Sequence, residues 1–167
     1  MNPILRRAAA LGVTARPMTD DDLPFVAGLY RSVRAAELAQ TGWPDDMLAN
    51  FLDQQHRAQH QHYRAHYPDA DWLILERDGE PIGRLYVDEA PSDLHLIDIS
   101  LLEDFRGAGI GRAIMADLIE RAGEAGQSMS LFVEPGNPAR NLYLGLGFVD
   151  EGNAGAYEAM RWRAGET

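Results

Sequence analysis

Apolar residues recur with two different periods along the chain, and each period predicts a different kind of element. A short strand is expected at 13–17. The next stretch predicts a helix, with a cap region at 19–22 and Pro24 in the first turn. Its apolar residues lie three to four positions apart: Phe25, Val26, Leu29, Tyr30 and Val33. A second helix is predicted from Asp45 until Pro68 ends it, with a stripe that changes from apolar to polar.

From residue 71 onward the period changes to two, which is typical of strands. The segment "DWLILERDGEPIGRLYVDEA" predicts two strands joined by a turn at Asp78 and Gly79, and "SDLHLIDISLL" predicts a third. A helix in "RAIMADLIERAGEAG" follows and stops at Gly126. Then come a strand in "SMSLFVE", a short helix capped by Asn137 with Pro138 at its first position, and a final strand in "AYEAMRWR".

This order of elements predicts the fold class. It reads strand, two helices, three strands, helix, strand, helix, strand, which indicates an α+β, sandwich-like domain with a mixed, mostly antiparallel central sheet flanked by helices. We expect residues 1–12 to be a flexible leader and residues 13–163 to form a single domain. The apolar run in this leader is too short, and too rich in alanine, for the hydrophobic region of a signal peptide.

Composition narrows the functional classes. The 167 residues include no cysteine, so neither a disulfide framework nor a thiolate nucleophile is available. The formal charge of -11 disfavours nucleic acid and anionic membranes and favours a cationic partner. No run of about 18 apolar residues occurs, so no membrane span is predicted. We expect a cytoplasmic protein; a homodimer is one assembly that the sequence leaves open.

The segment "EDFRGAGIGRAI" predicts an anion site. Glycines between a strand and a helix N-terminus allow successive backbone N–H groups to point into one concavity, where they hold a phosphate group. A Walker loop is excluded because Gly111 is followed by Arg112 and Ala113. The dinucleotide fingerprint needs two residues between its second and third glycines, whereas only Ile110 separates Gly109 from Gly111. A tight turn without a ligand is the remaining alternative.

The spacing of Arg106, Gly109 and Gly111 resembles the coenzyme A loop of the GCN5-related N-acetyltransferase (GNAT) family, and "EPGNPARNLYLGLGF" is similar to that family's second signature. The resemblance extends over nearly the whole chain and implies the GNAT fold and acetyl-coenzyme A as co-substrate. It places the pantetheine arm along Ser100, Leu101 and Leu102. It implies that these residues bind the pyrophosphate and neighbouring groups: Arg106, Gly107, Ala108, Gly109, Ile110, Gly111, Arg112, Asn137 and Arg140.

The same resemblance assigns Tyr143 as the acid that protonates the departing thiolate. The transfer must be concerted with C–S cleavage, since a phenol has a pKa of about 10 and a thiol about 8.5. On helical spacing alone, Tyr143 is a core residue beside Leu142 and Leu146.

The residue that would act as general base departs from the family pattern. Histone-type members carry a glutamate at the position of Leu96, and alternation would place Asp98 on the same face as Leu96. Asp98 is therefore our candidate. Glu134 and a chain of water molecules are the alternatives.

The second helix carries the candidates for acceptor binding. It holds His56, His60, His62 and His66, whose spacing suits one metal site poorly, so we expect no metal. In the family the first two helices border the acceptor site. That likeness indicates an acceptor pocket shaped by Trp43, Gln55, Gln59, His62 and Tyr63; a solvated helix face is the alternative.

The expected activity is direct transfer of an acetyl group from acetyl-coenzyme A to a primary amine of a small molecule or peptide. The absence of cysteine agrees with direct transfer, and the acidic chain favours a cationic amine. Two alternatives stay open at this point: a non-catalytic acyl-coenzyme A binding or sensing module, and an acyltransferase with another acyl donor or acceptor.

Overall fold

Seven strands form one sheet in the order β1-β2-β3-β4-β5-β7-β6 in the computed structural model, which describes residues 5–165 apart from the side chains of residues 36 and 37. The strands are β1 (Val13–Pro17), β2 (Asp71–Arg77), β3 (Glu80–Glu89), β4 (Asp93–Leu101), β5 (Ser128–Val133), β6 (Val149–Ala154) and β7 (Tyr157–Trp162). Strands β4 and β5 are parallel, and the other neighbours are antiparallel. The sheet is therefore mixed and mostly antiparallel, as the sequence predicts.

Five α-helices in residues 5–165 cover the two faces of this sheet. They are α1 (Arg6–Ala10), α2 (Leu23–Leu38), α3 (Asp45–His66), α4 (Ile110–Glu124) and α5 (Ala139–Gly145). Helices α1, α4 and α5 lie on one face, over a core that includes Leu85 and Val87 of β3. Helices α2 and α3 cover the other face, toward which β3 directs Arg84 and Tyr86. The α+β class and the two-sided architecture are thus confirmed.

Two parts of the chain differ from the sequence prediction. The C-terminal strand is preceded by another strand, β6, so the sheet ends in a hairpin of β6 and β7. Five of the six residues in β6 are exposed. Its sequence, "VDEGNA", has too little alternation to reveal a strand, and the partner β7 supplies the pairing that holds it.

The segment expected to be a flexible leader contributes a helix, at least over the described residues 5–12. Ala8 of α1 is fully buried. The carboxylate of Asp117 in α4, itself 4% exposed, accepts the backbone N–H groups of Arg7 and Ala8 at 3.1 Å and the Arg7 guanidinium at 3.0 Å. A buried acid thus satisfies the first donors of α1 and attaches it to α4.

None of the helices in residues 5–165 is sufficiently long and apolar to span a membrane.

Candidate active site

Strands β4 and β5 separate partway along their length. Their parallel pairing runs from Asp93 opposite Ser128 to Leu96 opposite Leu131 and then ends. Beyond that point, residues 97–101 of β4 and 132–133 of β5 diverge, and we call the space between them the β4–β5 opening. A strand edge without a neighbour presents unpaired backbone groups, so this opening is a place where an extended ligand can add as a strand.

A β-bulge at Ile97 determines which side chains of β4 lie on the α4 face of the sheet and which lie on the α3 face. Tyr86 of β3 pairs with Asp98, but the next residue of β3 pairs with Leu96, so Ile97 is the extra residue. Leu96 and Ile99 both pack into the core under α4. Asp98 points to the opposite face, toward α3. The sequence prediction that Leu96 and Asp98 share a face was wrong because the bulge shifts the alternation by one residue.

The backbone of β4 alternates between β3 and the opening. The Leu102 N–H donates to Ile82 O at 2.8 Å, so Leu102 and Ser100 direct their backbone groups to β3. Ile99 and Leu101 therefore direct theirs into the β4–β5 opening. Of the three residues that the resemblance assigns to the pantetheine arm, only Leu101 has this orientation. Ile99 shares this orientation, which could not be predicted because a sequence does not say which backbone groups a neighbouring strand already uses.

The glycine loop has the backbone of an anion cradle. Gly107 and Gly109 adopt φ of 74° and 84°, in the left-handed region that favours glycine. Ala113 is the first residue of α4 to donate within the helix, to Gly109 O at 3.0 Å. No acceptor among residues 5–165 receives a hydrogen bond from the N–H groups of residues 107–112. A Cβ added at Gly107 or Gly109 would meet nothing within 4 Å, so the concavity is open.

Four polar residues expected beside the loop have different surroundings. Arg106 donates through Nε to Leu101 O at 2.9 Å and so holds the loop against the end of β4, while Arg112 is exposed in the first turn of α4. The Asn137 side chain accepts the N–H of Ala139, the first residue of α5, at 2.9 Å, although Pro138 and not Asn137 is the N-cap residue. Arg140 pairs with Glu158 at 2.6 Å and with Asp150. Its guanidinium therefore joins α5 to the β6–β7 hairpin, an arrangement that its assignment to the arm did not anticipate.

Tyr143 is buried at the end of the sheet where the opening lies. Its ring is 8% exposed and packs on Phe148, with centroids 5.9 Å apart. Its hydroxyl has no hydrogen-bond partner among the described residues, yet it is not one of their fully buried unpaired atoms, so it keeps access to solvent. Burial, and secondarily the negative charge of Asp98, raises the pKa of Tyr143 to about 12. The phenol is protonated at neutral pH.

Asp98 is the counter-ion of a buried arginine. Arg84 is 3% exposed, and its Nε donates to Asp98 Oδ2 at 2.5 Å. The same oxygen accepts the Ser100 hydroxyl at 3.1 Å, and Arg84 also donates to Gln59 at 3.0 Å. Protonation of Asp98 would leave a buried guanidinium without a counter-charge. Asp98 is therefore poorly suited to the role of general base.

Replacing Asp98 by asparagine is expected to lower the free energy of unfolding by about 2 kcal/mol, because the charge of Arg84 then stays buried without a partner. Urea denaturation measures this change. The control is Asp53→Asn, since the pair of Asp53 with Arg31 at 2.8 Å is 38% and 42% exposed and is worth less than about 1 kcal/mol. A variant Asp98→Asn of unchanged stability but reduced turnover would instead give Asp98 a chemical role.

The predicted acceptor residues divide into two groups. Gln59 and Tyr63 lie beside Arg84 and Asp98, and we call these four residues the polar cluster. Burial, and secondarily the charge of Asp98, raises the pKa of Tyr63. The other three predicted residues on α3 or before it lie apart: Gln55 accepts the Tyr30 hydroxyl at 3.2 Å, the His62 ring packs on His66, and Trp43 is 41% exposed against Phe51.

The two remaining candidates for site chemistry do not join this cluster. Glu134 is exposed just beyond β5, where its carbonyl accepts the Asn137 N–H at 3.1 Å. Of the α3 histidines, His56 is 5% exposed, and burial lowers its pKa to about 4. Within residues 5–165 no group of three or more histidine or acidic side chains is arranged to hold a metal ion.

Within residues 5–165, the open edge of β4, the N–H groups of the glycine loop that have no partner, and Tyr143 are the features of the candidate site. The chain belongs to the acetyltransferase (GNAT) family, whose model matches residues 33–148, more than half of the 167 residues. Membership of this family supports acyl-coenzyme A dependent acetyl transfer as its reaction. None of the curated proteins matches the chain significantly.

Solved structures share the fold at low sequence identity. The PaiA N-acetyltransferase from Thermoplasma acidophilum, in complex with coenzyme A, has a TM-score of 0.66 and 16% identity over 90% of this chain and 98% of its own. An acetyltransferase from Thermus thermophilus has a TM-score of 0.63 and 19% identity over 90% and 96%. A spermidine N-acetyltransferase chimera of Vibrio cholerae SpeG and hSSAT has a TM-score of 0.59 and 21% identity over 91% and 95%.

Proposed function

We propose that the protein is an acetyl-coenzyme A dependent N-acetyltransferase that transfers the acetyl group directly to a primary amine. The observation that carries this proposal is the set of six unpaired N–H groups at residues 107–112, placed next to the open edge of β4. Among residues 5–165 the cradle donors have no partner, and the edge of β4 beyond Leu96 has no neighbouring strand. One surface suits an anion and the other an extended chain, as the two halves of coenzyme A require.

The cradle at residues 107–112 would hold the pyrophosphate, with the exposed Arg112 adding positive charge. Ile99 and Leu101 would bind the amide groups of the pantetheine arm through their backbone, as an added strand does. Acetyl-coenzyme A supplies the thioester whose carbonyl carbon the amine attacks. Arg106, through its bond to the Leu101 carbonyl, positions the loop relative to the strand.

Tyr143 would then act as the acid. It lies on the α4 face of the opening, whereas the polar cluster lies on the α3 face. A thiolate that leaves toward α5 meets the Tyr143 hydroxyl, and an amine that enters from α3 reaches the carbonyl from the opposite side. Separation of the two proton-transfer sites lets the departing sulfur and the attacking nitrogen exchange protons with different groups.

The acceptor is proposed to be a cationic or amphipathic amine. The chain has a formal charge of -11, which attracts a cation over the whole surface. On the α3 face, the Tyr63 ring packs near Trp72 and Tyr86 at centroid distances of 6.4 Å and 6.3 Å. Trp72 and Tyr86 are buried and already carry Arg64 and Arg84 over their rings, so the formal charge of the chain is what supports a cationic acceptor.

The test is a panel of amines with acetyl-coenzyme A, scored by release of free thiol and by mass of the product. The panel contains spermidine, aromatic monoamines, amino acids and short peptides with free N-termini. We expect acetylation of at least one cationic amine. Tight binding of acetyl-coenzyme A with no thiol release across the panel would overturn catalysis in favour of a binding module, and release without an acetylated amine would indicate another acceptor.

A further inference from the structure

A chain of hydrogen bonds runs from α3 across β4 and β5, apart from the polar cluster. The Tyr67 hydroxyl lies 3.4 Å from His95 Nε2, and His95 Nδ1 lies 2.9 Å from Ser130 Oγ. Ser130 in turn donates to Asp93 Oδ2 at 2.5 Å. Tyr67 also stacks on His95, with ring centroids 5.6 Å apart and an interplanar angle of 22°. Four side chains, from β4, β5 and the residue that follows α3, thus form one connected path.

The direction of each bond follows from the donors available. An ionised Asp93 only accepts, so the Ser130 hydroxyl donates to it, and Ser130 Oγ is left to accept the Nδ1–H of His95. Neutral His95 then carries no proton on Nε2, which accepts the Tyr67 O–H. The network therefore fixes the tautomer of His95 and keeps Nε2 as a proton acceptor directed at Tyr67.

This path begins beside the β4–β5 opening, on the α3 face. His95 is paired with Ser130 in the last but one pair before the strands separate. Phe132, the first residue of β5 beyond the pairing, contacts the His95 ring at a centroid distance of 5.2 Å. Tyr67 is partly exposed. The outer end of the path is therefore accessible from the side on which we place the amine, opposite Tyr143.

We propose that Tyr67 and His95 accept the proton that the attacking amine must lose. The amine nitrogen forms a bond to the thioester carbonyl carbon, and its N–H proton passes to the Tyr67 oxygen while Tyr67 gives its own proton to His95 Nε2. The imidazolium is held by Ser130 and, through it, by Asp93. Tyr143 separately protonates the sulfur as the C–S bond breaks. His95 later returns its proton through Tyr67 to solvent, and Tyr143 regains one. This inference rests on the proposed N-acetyltransfer.

The charges around His95 agree with this role. Burial lowers the pKa of His95, while the carboxylates of Asp93 and Asp88 raise it and Arg161 lowers it, with a net downward shift. His95 is therefore neutral and able to accept a proton at neutral pH. Asp98 has its negative charge committed to Arg84, and Glu134 is exposed beyond β5, so neither of the acids expected from the sequence is better placed.

The test compares two interruptions of the path with a matched control, using the panel amine that wild type acetylates best. Tyr67→Phe keeps the ring on His95 but removes the hydroxyl, and Ser130→Ala removes the link to Asp93. The control is Ser128→Ala, which breaks a 2.6 Å bond to the other oxygen of Asp93. We expect kcat to fall about tenfold or more in the first two variants and less than threefold in the control, with the affinity for acetyl-coenzyme A unchanged.

Two further measurements separate a proton path from a structural role. In wild type, kcat should fall at low pH as His95 becomes protonated, with a midpoint below about 6.5, and this limb should be lost or moved to higher pH in Tyr67→Phe. NMR of the imidazole nitrogens, assigned with His95→Gln, should show the Nδ1–H tautomer without any substrate. An unchanged kcat and pH profile in Tyr67→Phe, or an Nε2–H tautomer, would overturn the proposal. If wild type acetylates no amine, N-acetyltransfer fails and the tautomer alone decides whether the path exists.

Discussion

Replacing Gly109 by leucine is expected to weaken acetyl-coenzyme A binding by at least about 100-fold while the protein stays folded. At φ of 84° a leucine costs about 1–2 kcal/mol of backbone strain. The added side chain meets no protein atom within 4 Å of its Cβ, so it enters the space in front of the cradle instead of disturbing the core. A 100-fold loss corresponds to about 2.7 kcal/mol, the scale expected when bulk separates a pyrophosphate from several backbone donors.

Gly126 provides the matched control for this substitution. It lies just after the C-terminal end of the same helix, has φ of 69°, and also has nothing within 4 Å of an added Cβ. Gly126→Leu therefore carries similar strain without obstructing the cradle. Isothermal titration with acetyl-coenzyme A, together with urea denaturation, should show equal destabilisation of both variants but weakened binding only in Gly109→Leu. Equal affinity in the two would mean that the loop is a turn without a ligand.

Most of the sheet could be predicted from local pattern alone. Strand β1 lies at the predicted residues, and the turn at Asp78 and Gly79 joins β2 to β3 as expected, because alternation and turn residues are short-range signals. Helix α3 also has its predicted ends. Strand β6 could not be predicted, since only its pairing with β7 makes its exposed, polar residues a strand.

Because of the bulge at Ile97, the alternation of side chains along β4 could not predict which of them face the site. One inserted residue reverses the faces of Asp98 and everything after it, and nothing in "LHLIDISLL" marks the insertion. The glycine loop, in contrast, was predictable, because the unusual backbone angles at Gly107 and Gly109 need glycine whatever the rest of the fold does.

Contacts between distant residues explain the other differences. Tyr67 and His95 are 28 positions apart, and His95 and Ser130 are 35 apart, so no local spacing indicated that they share one path. Arg140 carries the right charge for a phosphate, but its nearest carboxylates come from β6 and β7. Residue type and spacing therefore predicted the backbone of the glycine loop, while the placement of individual charges required the sheet order.

Replacing Tyr143 by phenylalanine is expected to lower kcat about 100-fold or more and to leave the affinity for acetyl-coenzyme A within about threefold of wild type. The Tyr143 hydroxyl has no hydrogen-bond partner among the described residues, so its removal breaks no hydrogen bond within them. Only the departing thiolate, which exists late in the reaction, would lose a partner. Loss of an interaction made only in the transition state lowers kcat without a change in ground-state binding.

The control for Tyr143→Phe is Tyr30→Phe, in which another buried phenol, bonded to Gln55 at 3.2 Å and apart from the polar cluster, loses its hydroxyl. Its kcat should change less than about threefold. The pH profile adds an independent criterion. Because an acid must be protonated and the pKa of Tyr143 is about 12, activity should not fall between pH 8 and about 10 through this group. If Tyr143→Phe turns over as fast as wild type, water protonates the thiolate, and the role of Tyr143 is confined to packing against Phe148 at the end of the opening.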